Sequence, residues 1–155
     1  MNNKSRWWTA LLLLGGYCLV GALSLQAGDR FVNNNNGTIT DHKSKLIGLA
    51  DGNCLQKRSW DEAVAEVARL ASGKCGLTDG SAAGDWRLPT KRELTILVDW
   101  RNSGRFVALN NDFYWSSTVN DEDSTLAWLI FLATVYVGND VKSDKNMMWP
   151  VRDAH

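Results

Sequence analysis

The stretch Gly84-Asp85-Trp86-Arg87-Leu88-Pro89-Thr90 decides the fold of this chain. It places an acid, an indole and a guanidinium ahead of a proline, and a helix signal follows. Two further segments, Tyr114-Trp115-Ser116-Ser117-Thr118 and Trp149-Pro150-Val151-Arg152, repeat the use of tryptophan. An indole buries roughly 150–250 Å² and still offers an N–H group. We therefore predict that the tryptophans fill the core of a small domain.

Asp85 and Arg87 flank Trp86, so we expect their carboxylate and guanidinium to pair and support the loop. Trp86, Trp115 and Arg152 are predicted to be structural in the same sense. A catalytic role would make Asp85 a general base, but no nucleophile or partner accompanies it in the sequence. The sequence therefore predicts no catalytic residue.

Two capping boxes mark helix starts, Ser59-Trp60-Asp61-Glu62 and Thr90-Lys91-Arg92-Glu93. Apolar spacing predicts that the first helix runs from Ser59 to an end at Ser72-Gly73. The second should start at Thr90 and bury Leu94, Leu97 and Val98. The segment from Arg101 to Asp112 is expected to be irregular.

Strand signals lie on both sides of the helices. The Asn-Gly turn at Asn36-Gly37 predicts a hairpin over Arg30–Asp41, and Leu46–Leu49 a further strand. Later strands are predicted at Tyr114–Thr118, Ala127–Leu132, Val135–Val137 and Met147–Arg152, with a turn at Gly138-Asn139-Asp140. Strands, two helices and a second set of antiparallel strands indicate an α+β domain.

The N-terminus has the layout of a secretory signal peptide. Lys4 and Arg6 precede an apolar run over residues 9–25, and Ala27 offers a small residue for cleavage, with Ser24 as the second choice. The alternative is an uncleaved membrane anchor, although the run is just short of the roughly 20 residues that a spanning helix needs. We predict a signal peptide over 1–27 and an exported domain over 28–155, in the periplasm or at the cell surface.

The charge of the chain bears on its possible partners, and its cysteines bear on its covalent structure. The formal net charge is +0 and no basic block stands out, which indicates no nucleic-acid partner. Cys54 and Cys75 form an even count after the leader, and in an exported chain this predicts a disulfide. The alternative, a reactive or metal-binding pair, is disfavoured because the spacing is far from a CxxC unit.

The acidic loop Asn120, Asp121, Glu122 and Asp123 supplies the candidate binding residues. Clustered carboxylates suit calcium, but the EF-hand spacing is absent, and a solvated loop is the alternative. We therefore predict no metal or cofactor, with calcium as the alternative at this loop. The hydroxyls of Ser116-Ser117-Thr118 form no triad, since the only histidines are His42 and His155.

Taken in order, these motifs resemble the Lcl C-terminal domain family. The segments that carry the resemblance are Arg30-Phe31-Val32, Thr38-Ile39-Thr40-Asp41, Asn53-Cys54, Trp60-Asp61-Glu62-Ala63, Cys75-Gly76-Leu77-Thr78-Asp79-Gly80, Gly84-Asp85-Trp86-Arg87-Leu88-Pro89-Thr90, Glu93-Leu94, Tyr114-Trp115-Ser116-Ser117-Thr118, Ala127-Trp128 and Val151-Arg152. The resemblance implies a C-type-lectin-like fold, with antiparallel sheets, two helices and chain ends close together. It also implies an exported bacterial protein; the namesake is an adhesin that binds sulfated glycosaminoglycans.

These observations lead to one expected function and two alternatives. We expect a non-enzymatic, adhesin-like binding module for glycans or cell-envelope ligands, which uses Asn102–Phe113 and Asn120–Ser124 as its surface. The first alternative is an enzyme on a scaffold similar to that of the formylglycine-generating enzymes, which need a reactive cysteine pair. The second is a structural subunit of the envelope.

Overall fold

The computed structural model of the chain describes residues 29–107 and 109–154. The predicted signal peptide over 1–27 and the terminal His155 lie outside the described residues. Within those ranges, no helix is both long enough and apolar enough to cross a membrane. Export and cleavage of the leader therefore stay predictions.

The described chain forms two antiparallel sheets and two helices, which confirms the predicted α+β class. The elements in chain order are β1 (Phe31–Asn33), β2 (Thr38–Asp41), β3 (Leu46–Leu49), α1 (Trp60–Ala68), α2 (Leu94–Ser103), β4 (Phe113–Val119), β5 (Leu126–Phe131), β6 (Tyr136–Val141) and β7 (Val151–Asp153). The first sheet has the order β1-β2-β3-β7, and the second has the order β4-β5-β6.

The first sheet begins with the predicted hairpin. Phe31 pairs with Asp41 across it, and the turn places Asn35 and Gly37 at positive φ. β7 pairs with β3, so both ends of the domain lie in one sheet. They are not neighbours, because β2 and β3 lie between β1 and β7 at about 5 Å per strand.

α1 starts where the first capping box predicts, and Glu62 accepts hydrogen bonds from the N–H and the hydroxyl of Ser59 at 3.2 and 2.9 Å. It ends at Ala68, four residues before the predicted Ser72. The earlier end has a tertiary cause. The N–H of Ser72 donates to the carbonyl of Ser81, which turns the chain into a closed loop instead of a further helical turn.

α2 departs from the prediction at both ends. Glu93 does accept the N–H of Thr90 at 2.7 Å, yet regular helix begins only at Leu94, after a turn. The Glu93 carboxylate is also bound by Arg87, so this box ties two segments together instead of only capping a helix. At the other end, α2 includes Arg101–Ser103, which were expected to be irregular, and stops at Gly104 in the left-handed conformation.

The turn predicted at Gly138-Asn139-Asp140 is wrong, because all three residues belong to β6. They pair in register with Leu129, Trp128 and Ala127 of β5. The glycine has a packing role instead. A Cβ at Gly138 would lie 2.6 Å from Cε1 of Tyr136, whose ring crosses the strand at that point.

Four tryptophans are buried in the core, as predicted, and each indole N–H has an acceptor. The bonds run from Trp86 to the Ser81 hydroxyl at 3.0 Å, from Trp100 to the Asp41 carboxylate at 2.9 Å, from Trp115 to the Arg58 carbonyl at 3.1 Å and from Trp149 to the Leu49 carbonyl at 2.9 Å. The other two indoles of the described residues, Trp60 and Trp128, are only partly buried.

Cys54 and Cys75 form the predicted disulfide. It joins the segment after β3 to the loop after α1, across 21 residues of sequence. Neither sulfur is a free thiol in this structure, whereas the alternative based on a reactive cysteine pair requires free thiols.

Candidate functional site

The segment Gly84–Thr90 holds other parts of the scaffold in place. The Arg87 guanidinium binds both oxygens of Glu93 at 2.8 and 3.0 Å, and Asp153 at 2.7 Å. The expected pair between Asp85 and Arg87 does not form. The Asp85 carboxylate instead accepts the N–H of Ala82 at 2.8 Å and closes its own turn, while Arg87 reaches α2 and β7.

Charge on Glu93 is part of this support. Burial opposes ionisation, but the hydrogen bonds from Arg87 and from the Thr90 N–H outweigh it and lower the pKa of Glu93. The same carboxylate raises the pKa of Arg87. Both groups therefore remain charged and paired over a wide pH range, which suits a fixed support.

Arg152 of β7 lies over the Trp86 indole. Its Nη2 is 3.0 Å from Oδ2 of the buried Asp79, and its guanidinium carbon is 5.3 Å from the centroid of the Trp86 ring. The side chain thus joins β7 to the glycine-rich loop and covers the indole. Arg152 and Trp86 therefore lie against each other, and their structural role stays a prediction.

In the acidic loop, Asn120 and Asp123 form hydrogen bonds within the loop, whereas Asp121 and Glu122 are exposed. The Asn120 Oδ1 accepts the N–H groups of Glu122 and Asp123 at 2.8 and 3.2 Å. The Asp123 carboxylate accepts the hydroxyl and the N–H of Thr125 at 2.6 and 2.9 Å, and these bonds lower the pKa of Asp123. Asn120 and Asp123 therefore shape the loop, and Asp121 and Glu122 remain at the surface beside an open depression.

This depression has a volume of about 360 Å³ and is lined by Lys91, Asn120, Asp121, Glu122, Trp128 and Asn139. A second depression, of about 520 Å³, is lined by Thr90, Lys91, Arg92, Thr118 and Asp121. The two share Lys91 and Asp121 and therefore adjoin each other, with a mostly polar lining and a single indole. We call these nine residues the Trp128 groove.

Trp128 and Lys91 are in direct contact in the groove. The Lys91 Nζ lies 3.0 Å from the centroid of the Trp128 ring. Trp128 pairs with Asn139 across β5 and β6, so the indole and the amide project from the same face of the sheet. The N–H of Lys91 donates to the Thr118 hydroxyl at 2.9 Å, which fixes the turn before α2 against β4.

The sequence indicated no role for Lys91 or Asn139, and for Trp128 it favoured a core position over stacking on a sugar. The apolar sequence of β5 gives no signal of an exposed indole, and only the structure shows that Ala127 and Leu129 are buried while Trp128 between them is only partly buried. Alternation along a strand places such a residue on the outer face. The neighbours of Trp128 could not be found from the sequence either, because they come from other elements.

The second loop that was expected to contribute to the surface lies elsewhere. Asn102–Phe113 leads into the start of β4, whereas Asn120–Ser124 follows its end. Seven residues of strand separate the two by about 20 Å. The first segment is also held down, because Val107 pairs with Asp51 and the Asn110 amide donates to Asn53 at 3.0 Å. The two loops therefore do not form one binding surface.

The three consecutive hydroxyls of β4 bind backbone groups. Ser116 donates to the Trp128 carbonyl at 2.8 Å and Ser117 to the Pro89 carbonyl at 3.4 Å, while Thr118 accepts from Lys91. Among the residues that the structure describes, no three His, Cys, Asp or Glu side chains converge to hold a metal ion. The groove therefore offers an aromatic face, amides, hydroxyls and charges as its chemical groups.

Residues 37–152, more than half of the chain, match the family model described as the Lcl C-terminal domain. The match spans every described strand and helix from β2 to β6, with most of β7. No curated protein sequence matches the chain.

Proposed function

The chain belongs to the Lcl C-terminal domain family, and we propose that it is an exported, non-enzymatic binding module that recognises glycans or other cell-envelope ligands in the Trp128 groove. The observation that carries the proposal is a partly exposed indole within a groove of polar side chains. Among the other five indoles of the described residues, four are buried and hydrogen-bonded inside the core, and Trp60 is the exception.

The chemistry of the groove suits a sugar ring. An indole combines a large apolar face with polar surroundings, and the apolar face of a pyranose can stack on it. Asn139 and Asp121 lie beside that face, and Thr90 and Thr118 line the adjoining depression. Amide, carboxylate and hydroxyl groups are the partners that sugar hydroxyls require.

The size of the groove is also suitable. Small-ligand sites have volumes of roughly 300–1,000 Å³, and the two depressions have about 360 and 520 Å³. Their shared wall at Lys91 and Asp121 would let a short oligosaccharide cross from one to the other. We place this groove on a C-type-lectin-like scaffold, in which rigid sheets hold the recognition loop in position.

Strongly anionic glycans fit this groove poorly. Its lining carries two cations, Lys91 and Arg92, against two carboxylates, Asp121 and Glu122, so it has no excess of positive charge, and the whole chain has a formal net charge of +0. Like charges at a binding site disfavour a ligand and set specificity. The proposal therefore favours neutral or amine-bearing glycans over sulfated ones.

The test is a glycan array together with a pull-down from cell-envelope fractions, both with the full chain and with and without calcium. Ligands found in this way are then titrated against Trp128→Ala. We expect a loss of affinity on the order of tenfold, since stacking of a nucleobase on one aromatic ring contributes about 1–3 kcal/mol and we apply the lower part of that range to a sugar ring. The variant should keep the far-UV circular dichroism of the wild type, which reports the backbone, because Trp128 is outside the core.

The matched control is Tyr136→Ala, which removes an exposed aromatic ring from the neighbouring strand of the same sheet and leaves the groove intact. Its affinity should equal that of the wild type. If the array and the pull-down return no ligand, or if Trp128→Ala binds as well as the wild type does, the proposal is wrong.

A further inference from the structure

The side chain that covers Trp128 is itself a cation. The Lys91 ammonium is 3.0 Å from the ring centroid, well inside the distance of about 6 Å at which a cation is attracted to the face of an indole. Tryptophan is the aromatic residue that holds a cation most strongly. The Trp128 face is thus already used as a cation site within the protein.

Carboxylates stand on the wall of the same depression. Asp121 and Glu122 line it together with Trp128, and the other two acidic-loop side chains, Asn120 and Asp123, are engaged in shaping the loop. Among the ion pairs of the described residues, neither Asp121 nor Glu122 is joined to Lys91. An aromatic face attracts an organic ammonium group, and nearby carboxylates add a favourable charge interaction.

We propose that the Trp128 groove selects ligands that carry an organic ammonium group, and that Lys91 occupies the place of that group until the ligand displaces it. The inference rests on the proposed function and specifies its ligand class. Both an amine-bearing sugar and a quaternary ammonium headgroup have the required chemistry.

Displacement of Lys91 requires no change in the fold. Its backbone is fixed by the bond from its N–H to the Thr118 hydroxyl, whereas its ammonium is carried on a flexible four-carbon stem. A tethered group competes as an intramolecular ligand at an effective concentration in the millimolar range. Removal of the Lys91 charge should therefore strengthen the binding of an external ammonium group.

A second lysine provides the matched control. The Lys142 Nζ lies 4.3 Å from the centroid of the Trp60 ring, but neither residue lines the Trp128 groove. Lys142→Gln removes the same charge and the same type of contact as Lys91→Gln, at a different place. An effect of Lys91→Gln that Lys142→Gln lacks is therefore specific to the groove.

The experiment titrates the full chain with four probes and follows the indole N–H resonances by NMR. The probes are glucosamine, N-acetylglucosamine, glucuronic acid and tetramethylammonium, at a slightly acidic pH where the amine of glucosamine is protonated. We expect glucosamine to bind about two- to fivefold more tightly than N-acetylglucosamine, and Lys91→Gln to strengthen its binding by a similar factor. Lys142→Gln should change nothing, and the double variant Asp121→Asn/Glu122→Gln should reduce the preference, because only the attraction to the Trp128 face then remains.

The possible failures are distinguishable. Equal binding of glucosamine and N-acetylglucosamine, or tighter binding of glucuronic acid, overturns the ammonium inference and leaves a glycan function standing. Binding of tetramethylammonium with no sugar bound supports the inference and overturns the glycan function. If no probe shifts the Trp128 resonance, both are wrong, and if Lys91→Gln gains nothing, Lys91 is not the displaced group.

Discussion

Trp100 and Asp41 join the second helix to the first sheet through a hydrogen bond of 2.9 Å between the indole Nε1 and the carboxylate Oδ2. The two residues are 59 positions apart in the sequence, and neither side chain is exposed. The same carboxylate accepts the Arg30 guanidinium at 2.9 and 3.0 Å and the Ser44 hydroxyl at 2.8 Å. One buried charge thus organises three segments of the domain.

Replacement of this carboxylate should be costly. We predict that Asp41→Asn lowers the free energy of unfolding by about 3 kcal/mol, because it removes the charge that Arg30 and Trp100 face in a buried site. Urea denaturation followed by tryptophan fluorescence measures the change. The control is Asp99→Asn, which removes the other and half-exposed carboxylate of Arg30 and should cost less than about 1 kcal/mol. Equal costs would show that burial of Asp41 is unimportant.

Acid should destabilise the domain through the same residue. Burial opposes the charge of Asp41, but hydrogen bonds from Arg30, Trp100 and Ser44 outweigh it and hold its pKa well below the ordinary range. The unfolded chain therefore takes up a proton at Asp41 at a higher pH than the folded chain does. The stability contributed by Asp41 is complete above an unfolded pKa of about 4 and is lost as the pH falls toward the folded pKa.

Urea midpoints measured between about pH 6 and pH 3 check this dependence. The wild type should lose stability as the pH falls below about 4.5, and Asp41→Asn should show a shallower slope over the same range. Glu93, whose pKa is also lowered, contributes in the same direction in both proteins. Parallel slopes for the two proteins would contradict the assignment of this acid sensitivity to Asp41.

Gly48 of β3 should not tolerate a methyl group. A Cβ there would overlap the six-membered ring of Trp100, which is stacked on Phe106 at 4.7 Å and held by its bond to Asp41. Because the ring has no room to move, we predict that Gly48→Ala costs about 2 kcal/mol or more. In the background of Trp100→Leu the same substitution should cost much less. A urea double-mutant cycle measures the difference, and additive costs would refute the overlap.

Reduction of the disulfide should lower stability without changing the groove. Closure of a loop of this length between Cys54 and Cys75 contributes about 3 kcal/mol. We predict a matching fall in the urea midpoint when dithiothreitol is added. The double variant Cys54→Ala/Cys75→Ala should have the urea midpoint of the reduced protein, and dithiothreitol should not change that midpoint. An unchanged midpoint on reduction would mean that the bond adds nothing to stability.

Features that depend on neighbours in the sequence could be predicted from it. The hairpin over Arg30–Asp41 follows from an Asn-Gly turn, and the start of α1 follows from Ser59 and Glu62, because each is closed by contacts over a few residues. The disulfide also followed, since only Cys54 and Cys75 remain after the predicted leader. In each case the partners were already visible in the chain.

Predictions failed where a distant residue competed for a side chain. Asp85 and Arg87 are two positions apart, but Arg87 binds Glu93 and Asp153 instead. Gly138 has the composition of a turn, but pairing with β5 and the ring of Tyr136 hold it in a strand. Local propensity is too weak to decide such positions against tertiary contacts.

The sequence by itself determined the α+β class, the family, the buried tryptophans and the cysteine pair, because hydrophobic burial and short-range turns are encoded locally. Only the tertiary structure decided where an open site lies. The turn before α2 supplies Lys91, the acidic loop supplies Asp121, and adjacent strands supply Trp128 and Asn139. These four side chains come together because the second sheet packs beside α2. The spacing of residues along the chain does not encode that packing.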